Sequence, residues 1–406
     1  MCSGYSSLKI VHGCGTALLV VLVNTLPASA DQYDTLNYTA AAGVNYDDNI
    51  YRLPSSVDPL PVIGNSSKSD HIRFVSLGVN VDKKYSNQDL VFSANASENK
   101  YATFSSLDYN GTAYSAAWNW TMSSRFSGTL STRRTQTLNS FADIHTYTRN
   151  LQTYNERHLN ADWWVESGWH LLAGATNGEW SNSYTTVNNS NYYSNTDEWG
   201  VKYVLADGNS LALISRNVHA YNSNTSPNYV TEIDTGYTER QEEFQFSWML
   251  SGASALNGSM MNIRHSFPLF SQRDYGGNQD SLAYTWSITD KLRLNMSLKR
   301  SINTWLDLAS SYYVSDTVSM SPSWQISSKV DMHMDLSHGN SDYRGEIVPG
   351  VATRHDGIES YLVGFGWYPQ RSVRFDASLQ HSRRTSNYSA YEFSDTTASL
   401  SASTTF

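Results

Sequence analysis

The stretch SLAYTWSITDKLRLNMSL, residues Ser281–Leu298, contains two runs in which apolar and polar residues alternate. A period of two is typical of a β-strand with one apolar and one polar face. The polar segment Thr289–Lys291 separates the runs and is short enough for a tight hairpin turn. The stretch therefore predicts two antiparallel strands. The residues of their shared apolar face are Leu282, Tyr284, Trp286, Ile288, Leu292, Leu294, Met296 and Leu298.

The same alternation recurs along the chain. It is clear in LNYTAAAGVNY (36–46), VDMHMDL (330–336) and VRFDASL (373–379), and we find no comparable stretch with helical spacing. The composition agrees, because aromatic residues are 13% of the chain while charged residues are only 16%. Most polar residues are Ser, Thr and Asn, which suit a hydrated face with little net charge. The sequence predicts an all-β chain.

The connections between the predicted strands alternate in length. Some are very short and polar, such as SSK (327–329) and ADGN (206–209), whereas others are long, such as residues 47–70 and 337–356. This alternation is typical of bacterial outer-membrane barrels, which have short periplasmic turns and long extracellular loops. The strand count is about 18, within a range of 16 to 20, and an even number suits closure. The sequence predicts a single closed antiparallel transmembrane β-barrel.

The two ends of the chain carry further signals. Residues 1–30 have an apolar run from Thr16 to Val23 and small residues before Asp31, which predicts a secretory signal peptide cleaved between Ala30 and Asp31. Residues 31–406 then form the barrel domain. The last strand ends on Phe406. Outer-membrane barrels commonly end in this way, so we expect Phe406 to be a signal for the barrel-assembly machinery.

Charge and cysteine content exclude several classes of function. The net charge is −9, and removal of Lys9 with the signal peptide makes it −9 − 1 = −10, which argues against nucleic acid as a partner. Both cysteines, Cys2 and Cys14, lie in the signal segment, so the mature chain is expected to form no disulfides. The predicted location is the bacterial outer membrane, with membrane lipid as a partner.

The polar face of each strand is predicted to line the lumen. Two interpretations stay open for the charges on it: a hydrated channel that guides a solute, or a plugged lumen in which arginines pair with acids. In the first, Arg125, Arg264, Arg293 and Arg374 form a basic ring at the inner mouth; in the second, nearby aspartates neutralise the ring. The pore-lining candidates are Arg125, Arg264, Arg293, Arg374, Asp331, Asp335 and Asp376.

Residues suited to catalysis or to metal binding are sparse. No Gly-x-Ser-x-Gly motif is present, and no Ser–His–acid set can be assigned, so we predict neither enzymatic activity nor a cofactor. Asp331, His333 and Asp335 share one strand face, but residues two apart lie about 6–7 Å apart, so we predict no metal site. Aromatic residues in the long loops are candidates for stacking on sugar rings or for packing the loops together. They are Tyr184, Tyr192, Tyr193, Tyr343 and Tyr388.

Two segments suggest a family. Residues 33–53, YDTLNYTAAAGVNYDDNIYRL, run from the first strand into Tyr-Asp-Asp-Asn and then Arg-Leu, and residues 366–388 are GWYPQRSVRFDASLQHSRRTSNY. They resemble EpsL-type outer-membrane proteins of exopolysaccharide gene clusters associated with exosortase B. The resemblance implies a porin-like barrel that helps export a polysaccharide, with an exopolysaccharide chain and periplasmic export components as partners. A general solute porin, an outer-membrane hydrolase and a structural barrel remain the alternatives.

Overall fold

The computed structural model describes residues 35–184, 191–222, 226–307, 309–348 and 350–406. The predicted signal segment, with Ala30 and Asp31, lies outside the described residues. The strands are β1 (Leu36–Asp47), β2 (Asp70–Tyr85), β3 (Gln88–Tyr101), β4 (Tyr109–Ser123), β5 (Phe126–Leu138), β6 (Leu151–Glu166), β7 (Trp169–Asn182), β8 (Tyr192–Val204), β9 (Ser210–Tyr221), β10 (Gly236–Ser251), β11 (Ser254–Ser266), β12 (Tyr275–Ser287), β13 (Leu292–Thr304), β14 (Tyr312–Ser327), β15 (Val330–Arg344), β16 (His355–Gln370), β17 (Val373–Ser386) and β18 (Phe393–Thr405).

These strands form one closed sheet. Each pairs antiparallel with its neighbours in the chain, and β1 pairs with β18 to complete a ring of 18 strands. The predicted closed antiparallel barrel is confirmed. Closure satisfies the backbone hydrogen bonds of every strand and leaves no sheet edge, which a strand protein needs in order to cross a bilayer.

The seam between the first and last strands ends at Phe406. The backbone N–H of Tyr38 donates to the Phe406 carbonyl at 2.7 Å, and the Phe406 N–H donates to the Tyr38 carbonyl at 2.9 Å. The two rings stack with centroids 5.9 Å apart. Tyr38 is exposed on the outward face, so Phe406 also faces outward. Its role in assembly stays a prediction.

Short turns and long connections lie at opposite ends of the barrel. Pairing runs to Tyr85 and Gln88 across one two-residue turn, whereas residues 48–69 connect β1 to β2 and include the helix α1 (Leu60–Ile63). Three other long connections contain 3₁₀ turns: Ser105–Leu107, Ser271–Arg273 and Ser389–Tyr391. Within the described ranges no helix has the length and apolar character to cross a membrane. We call the short-turn end the inner end and the long-loop end the outer end.

The outward face is apolar near the inner end and charged above it. Leu298 lies opposite Leu282 and Val318 in the register, and Leu298 and Val318 are each 50% exposed. One step nearer the outer end, Arg300 forms an ion pair with Asp316 at 3.2 Å. An apolar band bounded by charged residues is the surface that a barrel presents to a bilayer.

The motif that suggested a family forms a compact turn at the outer end of the seam. The amide of Asn49 accepts from the Leu53 N–H at 2.9 Å and donates to the carbonyls of Leu53 at 2.8 Å and Ser394 at 3.0 Å. Arg52 donates to both carboxylate oxygens of Asp47 at 3.0 and 2.9 Å. The motif therefore stabilises barrel closure, since it ties the end of β1 to β18.

A small hydrophobic core fills part of the outer mouth. Tyr51 packs against Phe141 and Phe104, with ring centroids 4.7 and 5.0 Å apart. These residues come from the β1–β2, β5–β6 and β3–β4 connections, and they contact Ile72 and Tyr101 of the barrel wall. The three connections thus fold together over the lumen instead of extending from the rim.

Candidate functional site

The inner wall near the inner end carries a compact ion-pair cluster. Arg374 Nε donates to Asp376 Oδ1 at 2.6 Å, and Arg374 Nη2 lies 3.4 Å from Asp331 Oδ1. Gly366 faces this pair, and a methyl group there would lie 2.7 Å from Arg374 Nη2 and Asp331 Oδ2. The glycine gives the guanidinium group room against the wall. Arg374 is therefore neutralised by its two aspartates.

Three other predicted pore-lining residues also lie toward the inner end. Arg293 and Asp335 are exposed on the inward face, and no carboxylate of the described chain lies within ion-pairing distance of Arg293. Arg125 occupies the short β4–β5 turn. Its Nη1 lies 3.4 Å from the Val165 carbonyl, and its guanidinium group lies 5.7 Å from the Trp164 ring centroid.

The prediction that Arg264 lines the pore is wrong. Its register partner is Arg240, and it shares the outward face of β11 with Met260, which is 60% exposed. It also lies at the outer end of the strand. The reason is a local break in the alternation: Met261 and Ile263 are apolar but face inward, where Ile263 is 1% exposed. Because apolar residues of β11 face inward here, the polar residues between them resemble a lumen face in the sequence, although they face outward.

We expect Arg293 and Arg374 to respond differently to removal of their charge. Arg293→Gln removes an unpaired lumen cation and should shift the reversal potential under a salt gradient toward cation selectivity. Arg374→Gln leaves Asp331 and Asp376 without their partner and should mainly lower stability, by about 1–3 kcal/mol. Planar-bilayer recording and urea unfolding of both variants measure the two effects. Equal selectivity shifts with no loss of stability would contradict the assignment.

The middle of the inner wall is also charge-paired. Arg216 forms ion pairs with Glu198 and, through Nη1 at 2.6 Å, with Glu243. Nearer the inner end, Asp162 forms an ion pair with Lys202 and a hydrogen bond with His170 Nδ1 at 2.5 Å. Charge-assisted hydrogen bonds of this kind hold neighbouring strands in register. They leave the lumen polar, with more carboxylates than cations in the Arg216 cluster.

One connection crosses the outer mouth. We call residues 139–150, between β5 and β6, the mouth loop. Arg384 of β17 donates to Asp143 Oδ1 at 2.8 Å and to the Ala142 carbonyl at 2.9 Å. From β17 to β5 the ring runs through β18, β1, β2, β3 and β4. The mouth loop therefore reaches a wall six strand positions from its own base.

Arg354, which directly precedes β16, also contacts the mouth loop. Its Nε donates to both oxygens of Asp356 at 3.0 and 2.9 Å, and its Nη2 lies 3.5 Å from Asp143 Oδ1. The guanidinium group lies 3.5 Å from the Tyr391 ring centroid and 4.4 Å from that of Tyr343. Burial alone would lower the pKa of Arg354, but the Asp356 carboxylate outweighs it and raises the pKa above the ordinary value. The group stays charged.

A histidine in the mouth loop adds an uncharged contact. The His145 ring lies 5.1 Å from the Tyr391 ring and 6.1 Å from that of Tyr147. Burial lowers the pKa of His145, and the nearby charges of Arg384 and Arg354 lower it further. The neutral imidazole therefore packs beside two cations without adding a third. Where the mouth loop meets the opposite wall, the guanidinium groups of Arg354 and Arg384 thus face two carboxylates, Asp143 and Asp356.

The five loop tyrosines that the sequence analysis singled out make different contacts. Tyr343 contacts Arg354, the Tyr388 hydroxyl donates to the Ala352 carbonyl, and Tyr192 faces the lumen beside Trp180. Tyr193 faces outward and stacks on Tyr221 at 5.7 Å. The Tyr184 N–H donates to Asn150 Oδ1 at 3.1 Å. The residues that hold the mouth loop against the opposite wall were not identified from sequence; they are Asp143, Arg354, Asp356 and Arg384.

Comparison with known proteins supports a porin-like barrel. Residues 280–406 match the model of a family described as "Putative beta-barrel porin 2". The C-terminal part of the chain is porin-like. No curated protein matches the chain.

Solved structures share the fold. Pseudomonas aeruginosa OccK2 (OpdF) is 11% identical with a TM-score of 0.51, and its complex with glucuronate is 10% identical with a TM-score of 0.51; each covers 93% of this chain and 100% of its own. P. aeruginosa OccK1 (OpdK) is 9% identical with a TM-score of 0.50 over 93% and 100% of the two chains. At these identities the likeness concerns the fold.

Proposed function

We propose that the protein is a non-enzymatic outer-membrane channel for saccharides, and that its role is export of exopolysaccharide. The observation that carries this proposal is an 18-stranded closed barrel with a polar inner wall and a folded mouth loop. Barrels of 16–18 strands enclose an aqueous channel. The apolar outward band suits the bilayer, and the long connections suit the cell surface.

Small polar side chains of the inner wall suit passage of a hydroxyl-rich solute. The hydroxyls of Ser297 and Ser319 form a hydrogen bond of 2.6 Å, and those of Ser259 and Ser281 form one of 2.9 Å. Hydroxyls both donate and accept, so each can exchange its partner for a sugar hydroxyl. Weak binding at many such positions favours conduction over trapping.

The comparisons support different parts of the proposal. The family model supports a porin, and the glucuronate complex of OccK2 shows an acidic sugar bound by a barrel of this fold. Exopolysaccharide export rests on the resemblance of residues 33–53 and 366–388 to EpsL-type proteins. A general solute porin is comparably supported, because the family description and the shared fold indicate a porin without indicating a polysaccharide.

Proteoliposomes loaded with labelled oligosaccharides of increasing length test the proposal. A saccharide exporter should release long oligomers, and Asp143→Ala should increase their rate of release because it frees the mouth loop from Arg384 and Arg354. Asp58→Ala, which removes an exposed loop carboxylate, is the matched control. Release of only the shortest sugars from both variants would favour the general porin. Retention of all sugars by folded protein would contradict both functions.

A further inference from the structure

The inner wall near the outer end contains a pocket of about 410 Å³ that opens to the lumen. Its volume lies within the range of about 300–1,000 Å³ typical of small-molecule sites. It lies beneath the mouth loop, on the three strands β5, β6 and β7. The lining residues are Arg133, Thr135, Thr137, Gln152, Tyr154 and Trp180.

Strand register places this lining on the inward face. Leu130 pairs with Leu159 on the outward face of β5 and β6, so Arg133, which pairs with Glu156, faces inward. Tyr154 and Trp180 are direct cross-strand partners. Both aromatic residues therefore face the water-filled side of the wall, opposite to the lipid.

Two aromatic rings and one guanidinium group form the floor of the pocket. The Tyr154 and Trp180 rings lie 5.1 Å apart at 56°. The Arg133 guanidinium group lies 5.3 Å from the Tyr154 ring centroid, and its Nη2 lies 3.3 Å from Glu156 Oε2. The Tyr154 hydroxyl also donates to Glu156. Glu156 thus holds both side chains in place.

We propose that this pocket is a saccharide-binding subsite that takes one pyranose unit. The aromatic faces of Trp180 and Tyr154 suit the C–H face of a sugar ring, because amphipathic rings bury apolar area while polar groups stay at the edge. The hydroxyls of Thr135 and Thr137 and the amide of Gln152 both donate and accept, as sugar hydroxyls require. Delivery of the sugar through the lumen rests on the proposed function.

The subsite continues into a row of aromatic residues around the wall. Trp180 stacks with Tyr192 of β8 at 6.3 Å, and Tyr192 lies 6.4 Å from Tyr237 of β10. Tyr237 stacks on His265 of β11 at 4.2 Å. His265 is 2% exposed, so the part of the row that a saccharide can contact is Trp180, Tyr192 and Tyr237, whose successive ring centroids lie 6.3 and 6.4 Å apart. The row suits a chain of sugars better than a single small solute.

Calorimetry with maltohexaose on detergent-folded protein tests the subsite. Trp180→Ala should weaken binding about tenfold, whereas Trp180→Phe should retain most of the affinity because a ring face remains. Tyr193→Ala is the matched control: Tyr193 lies at the same height but faces outward, so binding should be unchanged. Heat-modifiable migration confirms that each variant is folded.

The outcomes separate the subsite from the channel. Equal affinity of the unmodified protein and Trp180→Ala, or no binding by either, would overturn the subsite even if the barrel conducts ions. Loss of binding in Trp180→Ala in a barrel that never conducts would support the subsite and overturn the channel. Equal weakening by Tyr193→Ala would also overturn the subsite, since that change cannot reach the lumen.

Discussion

Replacement of Met296 by arginine is expected to destabilise the folded barrel by about 2–4 kcal/mol. Met296 is exposed on the outward face of β13, within the apolar run that begins at Leu292 and ends at Leu298. The outward residue that follows Leu298 is Arg300, which marks the outer limit of the apolar band. A guanidinium group at Met296 would have to enter hydrocarbon without a partner. Urea unfolding in lipid vesicles measures the loss.

Asn295→Arg is the matched control, one residue away on the opposite face. Asn295 faces the lumen and accepts a hydrogen bond from Thr285 Oγ1 at 3.1 Å. Arginine there stays hydrated and loses only that bond, so the expected cost is about 1 kcal/mol or less. Equal decreases in the free energy of unfolding for Met296→Arg and Asn295→Arg would contradict the assignment of one face to lipid and the other to water.

Asp356→Ala is expected to have an effect of similar size at the outer mouth, about 3–5 kcal/mol. Asp356 is 1% exposed, and its carboxylate holds Arg354 and lies 4.0 Å from Arg384. Its removal leaves two buried guanidinium groups with Asp143 as their shared counter-ion. The mouth loop should become sensitive to protease, and urea unfolding should begin at a lower concentration.

Glu359→Ala is the control on the same strand. Glu359 faces outward, its side chain is 42% exposed, and its partner is His338 at 3.5 Å. Exposed pairs contribute about 0–1 kcal/mol, so this variant should be close to the unmodified protein. Protease resistance of the mouth loop in Asp356→Ala would contradict the structural role given to the buried carboxylate.

Most of the fold could be predicted from alternation because the apolar band imposes it. The prediction fails where the band ends. In β6 the alternation of apolar residues is evident only from Leu159 onward, but the strand begins at Leu151, since its first residues lie above the apolar band and polar Asn155 faces outward there. The backbone ladder continues through this region, although the side-chain pattern that reveals a strand does not.

The functional site was less accessible to sequence reasoning. Asp143 and Arg384 are 241 residues apart, and one sequence gives no means of pairing them. Tyr154 and Trp180 did leave a signal. On β7 the apolar residues Trp169 and Leu171 face outward at odd positions, so Trp180, at an even position, is out of phase with the lipid face and must face the lumen.

Single-channel recording in planar bilayers tests most directly whether this barrel is a channel controlled at its mouth. We expect discrete conductance steps for the unmodified protein and larger steps for Asp143→Ala, because the mouth loop loses its ion pairs with Arg384 at 2.8 Å and Arg354 at 3.5 Å. Asp58→Ala should match the unmodified protein. A folded barrel that shows no steps, with or without Asp143, would contradict the account.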